Sequence, residues 1–287
     1  MEYRQPLTLA EALKLLQDAV APVRLFAGGT DLVPTLREIS SQPATLIDLK
    51  QIAELSELSI AADGSAVIGA ALPARQIVAH QPLQCLWPGL VESVASLGSR
   101  QIQSRATLGG NICHGSPAAD TVPALIAAGA RCRICGPLGE RMVLVNEVIT
   151  SPGKTCLRAG EIVVSIHLPP RPARSADAYL RMTSRKLMDV AIAGVAVNLM
   201  LSEDDTVQRC SVALGSVAPV AFAVPEVAEF MTGSAIDDAL IARLQRVIRH
   251  ACRPIDDLRG TAEYRVQVAG VLAVRAFRQA LQRIQER

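Results

Sequence analysis

Apolar positions along this chain change period several times, and each change marks an element. Near the start, Leu9, Leu13, Leu16 and Val20 recur at helical spacing behind Thr8-Leu-Ala-Glu11. That tetrapeptide is a capping box, so the pattern predicts an amphipathic helix of about three turns. Residues 23–27 read as a short buried strand ending in Gly28-Gly29. Residues 30–38 read as a short helix with Pro34 inside its first turn, where a missing N–H costs little. Segments 46–49 and 66–69 read as strands, and Leu90, Val94 and Leu97 share one helical face. Ser116-Pro117 predicts a helix start, with serine as the cap and proline at the first helical position. That helix runs through 122–128 and stops near Gly129, and strands follow at 131–135 and 162–168.

Pro169-Pro170-Arg171-Pro172 is the best boundary in the chain, because prolines this dense fit neither a helix nor a central strand. Beyond it the pattern gives strands first, at 189–201 and 207–214. Helices come afterwards, at 226–231, 237–249 and 261–283, with Leu240, Leu244, Val247 and Ala251 at helical spacing. Strands followed by helices make a small α+β domain over 176–287, and 1–172 is a second unit of mixed helix and strand.

A length of 287 residues supports two domains, and 50% hydrophobic against 20% charged residues excludes intrinsic disorder. A net charge of +2 and 3% aromatics leave no electrostatic or stacking case for nucleic acid. The longest uncharged run, 210–225, has 16 residues and is broken by Gly215, Pro219 and Pro225, so no membrane span is expected. The first residues have no apolar stretch behind them, and the seven scattered cysteines read as reduced thiols, which together point to the cytoplasm. Cys132-Arg-Ile-Cys135 has the spacing of a metal or redox pair, but no second pair lies nearby, and the two read as small apolar residues on a strand in preference to metal or redox work.

Two glycine pairs carry candidate chemistry: Leu25-Phe26-Ala27-Gly28-Gly29-Thr30-Asp31-Leu32 and Thr107-Leu108-Gly109-Gly110-Asn111. Glycine lets backbone amides approach a ligand and adopt positive φ, and successive amides in such turns form an anion nest. Two nests, with Thr30, Thr107 and Asn111 adding side-chain donors, would suit a diphosphate, although each pair alone also fits an ordinary tight turn. Neither matches the P-loop or dinucleotide fingerprint. Asp120 falls in the first turn of the helix expected after Ser116, where a carboxylate either stabilises the helix from the surface or accepts hydrogen bonds from ligand hydroxyls. His80, His114, His167 and His250 are scattered, and His114 reads as an exposed loop residue.

Ala27-Gly28-Gly29-Thr30-Asp31-Leu32, Thr107-Leu-Gly-Gly-Asn111-Ile-Cys and Ser116-Pro-Ala-Ala-Asp120 occur in one order and spacing that resembles the FAD-binding (medium) subunit of the molybdenum hydroxylases. Arg185-Lys186-Leu-Met-Asp189-Val-Ala191 and Gly260-Thr-Ala-Glu-Tyr264-Arg are similar to further motifs of that family, so the resemblance covers nearly the whole chain. Ile112-Cys113 and Ser151-Pro-Gly-Lys154 resemble the separate FAD subunit of bacterial xanthine dehydrogenases most closely.

The resemblance implies a vanillyl-alcohol-oxidase (PCMH) type FAD-binding fold in two subdomains, about 1–55 and 56–172, followed by the C-terminal α+β domain. It implies that segments 25–32 and 107–111 wrap the FAD pyrophosphate and that Asp120 binds ribityl or ribose hydroxyls. Leu97 stands at a position near the flavin that is aromatic in some relatives, and Val163 would touch the ring. Arg181 matches a basic position beside the isoalloxazine. Val190 matches a position that is Tyr in some relatives, so the flavin face would be more open here. For Leu97, Val163 and Val190 the alternative is core packing, and for Arg181 a solvated surface charge. The implied activity is an oxidoreductase subunit taking electrons from [2Fe–2S] clusters of a small partner. It would pass them to NAD+ or another acceptor, while a large partner carries the molybdenum cofactor, in a dimer of heterotrimers. A free-standing FAD oxidase would turn over substrate alone, and a non-catalytic nucleotide-binding protein would be colourless.

Overall fold

The structure is a computed structural model describing residues 2–19, 22–38, 44–185 and 188–286. Strand β1 (Glu2–Arg4) and helix α1 (Leu9–Asp18) open the chain. Thr8 Oγ1 accepts the Glu11 amide at 3.2 Å, and Glu11 Oε2 accepts the Leu7 amide at 2.8 Å, so the expected box closes one residue earlier than its usual form. Leu9, Leu13 and Leu16 pack inward as expected, and Val20 lies outside the described residues. Strand β2 (Val23–Phe26), helix α2 (Leu32–Glu38) and strand β3 (Thr45–Asp48) follow, and β1 and β2 flank β3 in a parallel sheet.

A second, antiparallel sheet runs in the order β4 (Leu58–Ile60), β5 (Ala66–Gly69), β10 (Ile162–Leu168), β6 (Arg131–Gly136), β7 (Gly139–Leu144). Between β5 and β6 lie helices α3 (Ala74–Ala79), α4 (Gln81–Leu86), α5 (Pro88–Ala95), α6 (Arg100–Gln103), α7 (Leu108–His114) and α8 (Thr121–Ala128). A short helix α9 (Val145–Val148) and the hairpin β8 (Ile149–Ser151) and β9 (Lys154–Thr155) precede β10. Cys132 and Cys135 sit in two different apolar clusters on opposite faces of β6. The alternation of a strand therefore separates them, and the strand reading of that pair holds.

The C-terminal sheet is antiparallel in the order β11 (Ser175–Met182), β12 (Ala193–Leu201), β13 (Val207–Gly215), β14 (Phe222–Ala223). Helices α10 (Pro225–Met231), α11 (Asp238–Ala251) and α12 (Ala262–Gln285) complete the chain. Ala178, Val195 and Val197 face α12, while Tyr179, Ala196 and Ala213 face α8. Small residues on that second face let α8 approach closely, and every residue of α8 is buried. The helix α8 begins at Thr121 rather than at Pro117. The Ser116 hydroxyl takes the Ala118 amide at 3.2 Å and Ser116 O takes the Ala119 amide at 3.1 Å, which closes a turn before the helix starts.

No helix among the described residues is long and apolar enough to cross a membrane.

Candidate functional site

The loop after β2 supplies the first glycine pair. Gly29 has φ +74°, a conformation other residues avoid. Among the described residues no acceptor takes the amides of Gly28, Gly29, Thr30 or Asp31, which leaves a run of donors as an anion nest requires. Gly28 serves a different purpose: a Cβ there would collide with the Arg105 carbonyl, so glycine brings this loop against the backbone that leads into α7. Beneath the loop, a Cβ on Gly29 would meet the Phe26 ring. Lys50 holds that ring, with Nζ 3.8 Å from its centroid and 2.6 Å from Asp48 Oδ1. The Tyr3 hydroxyl donates to the other oxygen of Asp48, a fully buried carboxylate.

The second pair is arranged otherwise than the turn expected for it. Thr107 caps α7, accepting the Gly110 amide on Oγ1 at 3.0 Å, and Gly109 donates to Ala70 O at 3.0 Å. Neither glycine has positive φ, and their amides are committed, so this segment is a helix start rather than a second nest. A Cβ on Gly109 would lie 2.6 Å from Ala70 O, which explains that glycine by packing. Gly110 is exposed, and a Cβ there would meet only its own cap, Thr107 Oγ1 at 3.0 Å. Packing against another element does not explain Gly110. Asn111 Oδ1 accepts the Thr121 hydroxyl at 2.7 Å, which ties α7 to the start of α8. Leu108 is buried beneath them, and His114 ends α7, exposed.

Asp120 stands at the N-cap of α8 but makes no capping bond. It is buried, which overturns the surface reading. Oδ1 accepts the Tyr179 hydroxyl at 2.7 Å and Oδ2 accepts Arg181 Nη1 at 2.6 Å. Burial pushes the Asp120 carboxyl up, and Arg181 and Tyr179 oppose that shift. The Ser96 hydroxyl also lies against the carboxylate, whose two oxygens together retain capacity for one more donor, such as a ligand hydroxyl. The Arg181 side chain is 12% exposed and ion-paired, so it is not a solvated surface charge. Leu97 and Val163 both lie in the apolar cluster that holds Leu108 and Tyr179, in keeping with core packing. Val190 is 42% exposed, and for that position core packing is excluded. Lys186 lies outside the described residues.

Contacts thus run from the first loop through Arg105 and α7 to Asp120 and β11, joining the sequence-predicted residues of both halves. Tyr179 and Lys50, which lies over the predicted Phe26, are residues that the sequence reading did not include. The only signal for Tyr179 was its place two residues before Arg181, on the same face of a strand.

Unclaimed amides after β2, an exposed glycine on α7 and a buried carboxylate paired with an arginine are the polar features that these contacts link. Residues 1–171 match the family described as "FAD binding domain in molybdopterin dehydrogenase", and 178–280 match "CO dehydrogenase flavoprotein C-terminal domain"; the chain belongs to that FAD-binding family. It is 32% identical to the carbon monoxide dehydrogenase medium chain of Hydrogenophaga pseudoflava over 280 residues, covering 97% of this chain and 96% of that one. It is 28% identical to the xanthine dehydrogenase FAD-binding subunit of Escherichia coli O157:H7, covering 97% and 95%. Among solved structures, the carbon monoxide dehydrogenase from Hydrogenophaga pseudoflava that lacks the Mo-pyranopterin moiety of the molybdenum cofactor superposes with a TM-score of 0.93 at 30% identity, covering 99% of this chain and 98% of that one. The expected fold, an FAD-binding domain of the PCMH type with a C-terminal α+β domain, is the fold observed.

Proposed function

We propose that this chain is the FAD-carrying electron-transfer subunit of a multi-subunit, xanthine dehydrogenase-like molybdenum hydroxylase. It accepts electrons from [2Fe–2S] clusters of a small partner and delivers them to NAD+ or another acceptor. Substrate oxidation belongs to a large partner with the molybdenum cofactor, and the three chains form a dimer of heterotrimers in the cytoplasm. Support comes from relatives whose names describe medium chains and FAD-binding subunits of dehydrogenases, matched along nearly their full length. The FAD-binding unit is 1–172, in subdomains of about 1–55 and 56–172, and the C-terminal unit is 176–287.

The observation that supports the cofactor assignment is the loop of unclaimed amides at Gly28–Asp31, packed by Gly28 against the Arg105 carbonyl. In this reading residues 25–32 and 107–111 hold the diphosphate, and the remaining capacity of Asp120 accepts a sugar or ribityl hydroxyl. Arg181 keeps a positive charge beside the ring, Leu97 and Val163 exclude water from it, and Val190 leaves one face open. Bound flavin supplies chemistry that links one-electron donors to hydride acceptors.

The visible absorption spectrum of the purified chain, with release of its chromophore, tests this. A yellow protein yielding FAD is expected, and co-purification with two partner chains from the native source. A colourless chain that takes up no FAD, alone or with its partners, rejects the proposal.

A further inference from the structure

Tyr179 sits at the centre of the site without belonging to either glycine motif. It precedes Arg181 by two residues on β11, so both side chains leave the same face of the sheet. Its hydroxyl donates to Asp120 Oδ1 at 2.7 Å while Arg181 Nη1 donates to Oδ2 at 2.6 Å, with the Ser96 hydroxyl alongside. Asp120 belongs to α8 and the other two to β11, so the cluster joins the two halves of the chain. The backbone amide of Tyr179 donates to Glu92 Oε2 at 3.1 Å, which pins the strand at this residue.

The neighbouring strand makes room for the hydroxyl. A Cβ on Gly194 of β12 would lie 2.7 Å from the Tyr179 oxygen. Glycine inside a strand weakens it, so the space has a cost. Phenylalanine would fill the same apolar volume without setting an oxygen against a carboxylate. Burial and the Asp120 charge push the phenol far above its ordinary range, so it remains a donor at neutral pH.

Resting on the reading of this cluster as flavin-facing, we infer that Tyr179 is a positioning residue for the cofactor. Its hydroxyl holds Asp120 in a one-oxygen contact with Arg181, which fixes the carboxylate towards ligand hydroxyls and leaves part of the arginine charge unneutralised. Without the hydroxyl, Asp120 turns both oxygens to Arg181, the stronger pairing. More of the arginine charge is then cancelled, and less positive potential reaches the ring position.

FAD affinity and flavin midpoint potential, measured on the full chain, test this with Tyr179→Phe, Gly194→Ala and Glu92→Gln. Tyr179→Phe is expected to bind FAD about tenfold more weakly, the size of one lost hydrogen bond to a buried charge, and to show a lower midpoint potential. Gly194→Ala displaces the hydroxyl without removing it and is expected to change both in the same directions, which keeps the test open should Tyr179→Phe fail to fold. Glu92→Gln, which touches Tyr179 through its backbone only, is expected to lower the melting temperature and leave the potential unchanged. A folded Tyr179→Phe chain with wild-type affinity and potential overturns the inference, as does an equal potential shift in Glu92→Gln. A wild-type chain that takes up no FAD removes the reading beneath it, and the inference with it.

Discussion

Gly28 and Gly110 lack side chains for different physical reasons, and that difference can be measured. At Gly28 a Cβ would run into the Arg105 carbonyl, a backbone group with no freedom to withdraw. Gly28→Ala is therefore expected to destabilise the fold by about 1–3 kcal/mol, the cost of overpacking, and to separate the loop from α7 so that FAD retention falls as well. At Gly110 the space is open except for the cap hydroxyl at 3.0 Å. Alanine there adds helix propensity of up to about 1 kcal/mol, which offsets a small shift of the cap. Gly110→Ala is thus expected to unfold at nearly the wild-type denaturant midpoint yet to bind FAD at least about tenfold more weakly, because in the proposed reading the methyl meets the diphosphate. Wild-type affinity in a stable Gly110→Ala chain would remove the ligand from that surface. The glycines were visible in the sequence as pairs. What sets the packing glycine of each pair apart from its neighbour is the partner across the contact, Arg105 for Gly28 and Ala70 for Gly109, and neither is near in sequence.

At the scale of elements, the Tyr3–Asp48–Lys50–Phe26 cluster fastens β1 and the first loop to β3, and its pH dependence has a definite sign. Burial works against the Asp48 carboxylate, but hydrogen bonds from Lys50 and Tyr3 outweigh it and hold its pKa below the ordinary value of 3.8. A carboxyl whose folded pKa is depressed contributes stability above its unfolded pKa and loses it as pH falls through the folded pKa. Asp48→Asn is expected to be less stable than wild type by an amount that stays constant from neutral pH down to about pH 4 and shrinks only below it. Urea denaturation across that range checks this, and a deficit already shrinking near pH 6 would contradict it. The long capped helices were the most legible elements. Thr8, Asp237 and Thr261 cap α1, α11 and α12 with side-chain bonds that short-range pattern reveals. Strand β11 passed unseen because its sequence, Ser-Ala-Asp-Ala-Tyr-Leu-Arg-Met, mixes small and polar residues. Its polar side chains are satisfied from afar: Asp177 by Arg171 and Leu90, Tyr179 and Arg181 by Asp120. Asp120 entered the expected site through its place in a predicted first turn, Arg181 through family resemblance, and their direct contact, 61 residues apart, lies beyond any local pattern.

Across the whole molecule, the joint between the two halves is built on one buried arginine. Arg171, from the proline-rich boundary segment, lies 4.2 Å over the ring of Trp87 and pairs with Asp177 at 3.0 Å and Asn198 at 2.9 Å. Asp177 also accepts the Leu90 amide at 2.9 Å, so one carboxylate joins α5, β11 and the linker. Arg283 of α12 extends the joint, donating to Asp177 O at 2.6 Å and pairing with Glu92. Arg171→Met keeps a stem to lie on Trp87 but strands the Asp177 carboxylate, and removing one partner of a buried pair costs about 3–5 kcal/mol. Burial already pushes the Asp177 carboxyl up, and without Arg171 it rises further. A raised folded pKa means that the charged form is penalised, so the deficit of the variant is expected to shrink as the pH is lowered. Trp87 is the single tryptophan and lies in the N-terminal half, whereas ellipticity reports on both halves. In wild type the two signals are expected to change together in one transition, because the joint couples both cores. In Arg171→Met they are expected to separate. Coincident curves in a destabilised variant would show that the cores are coupled elsewhere, through α8 packed against β12 and β13.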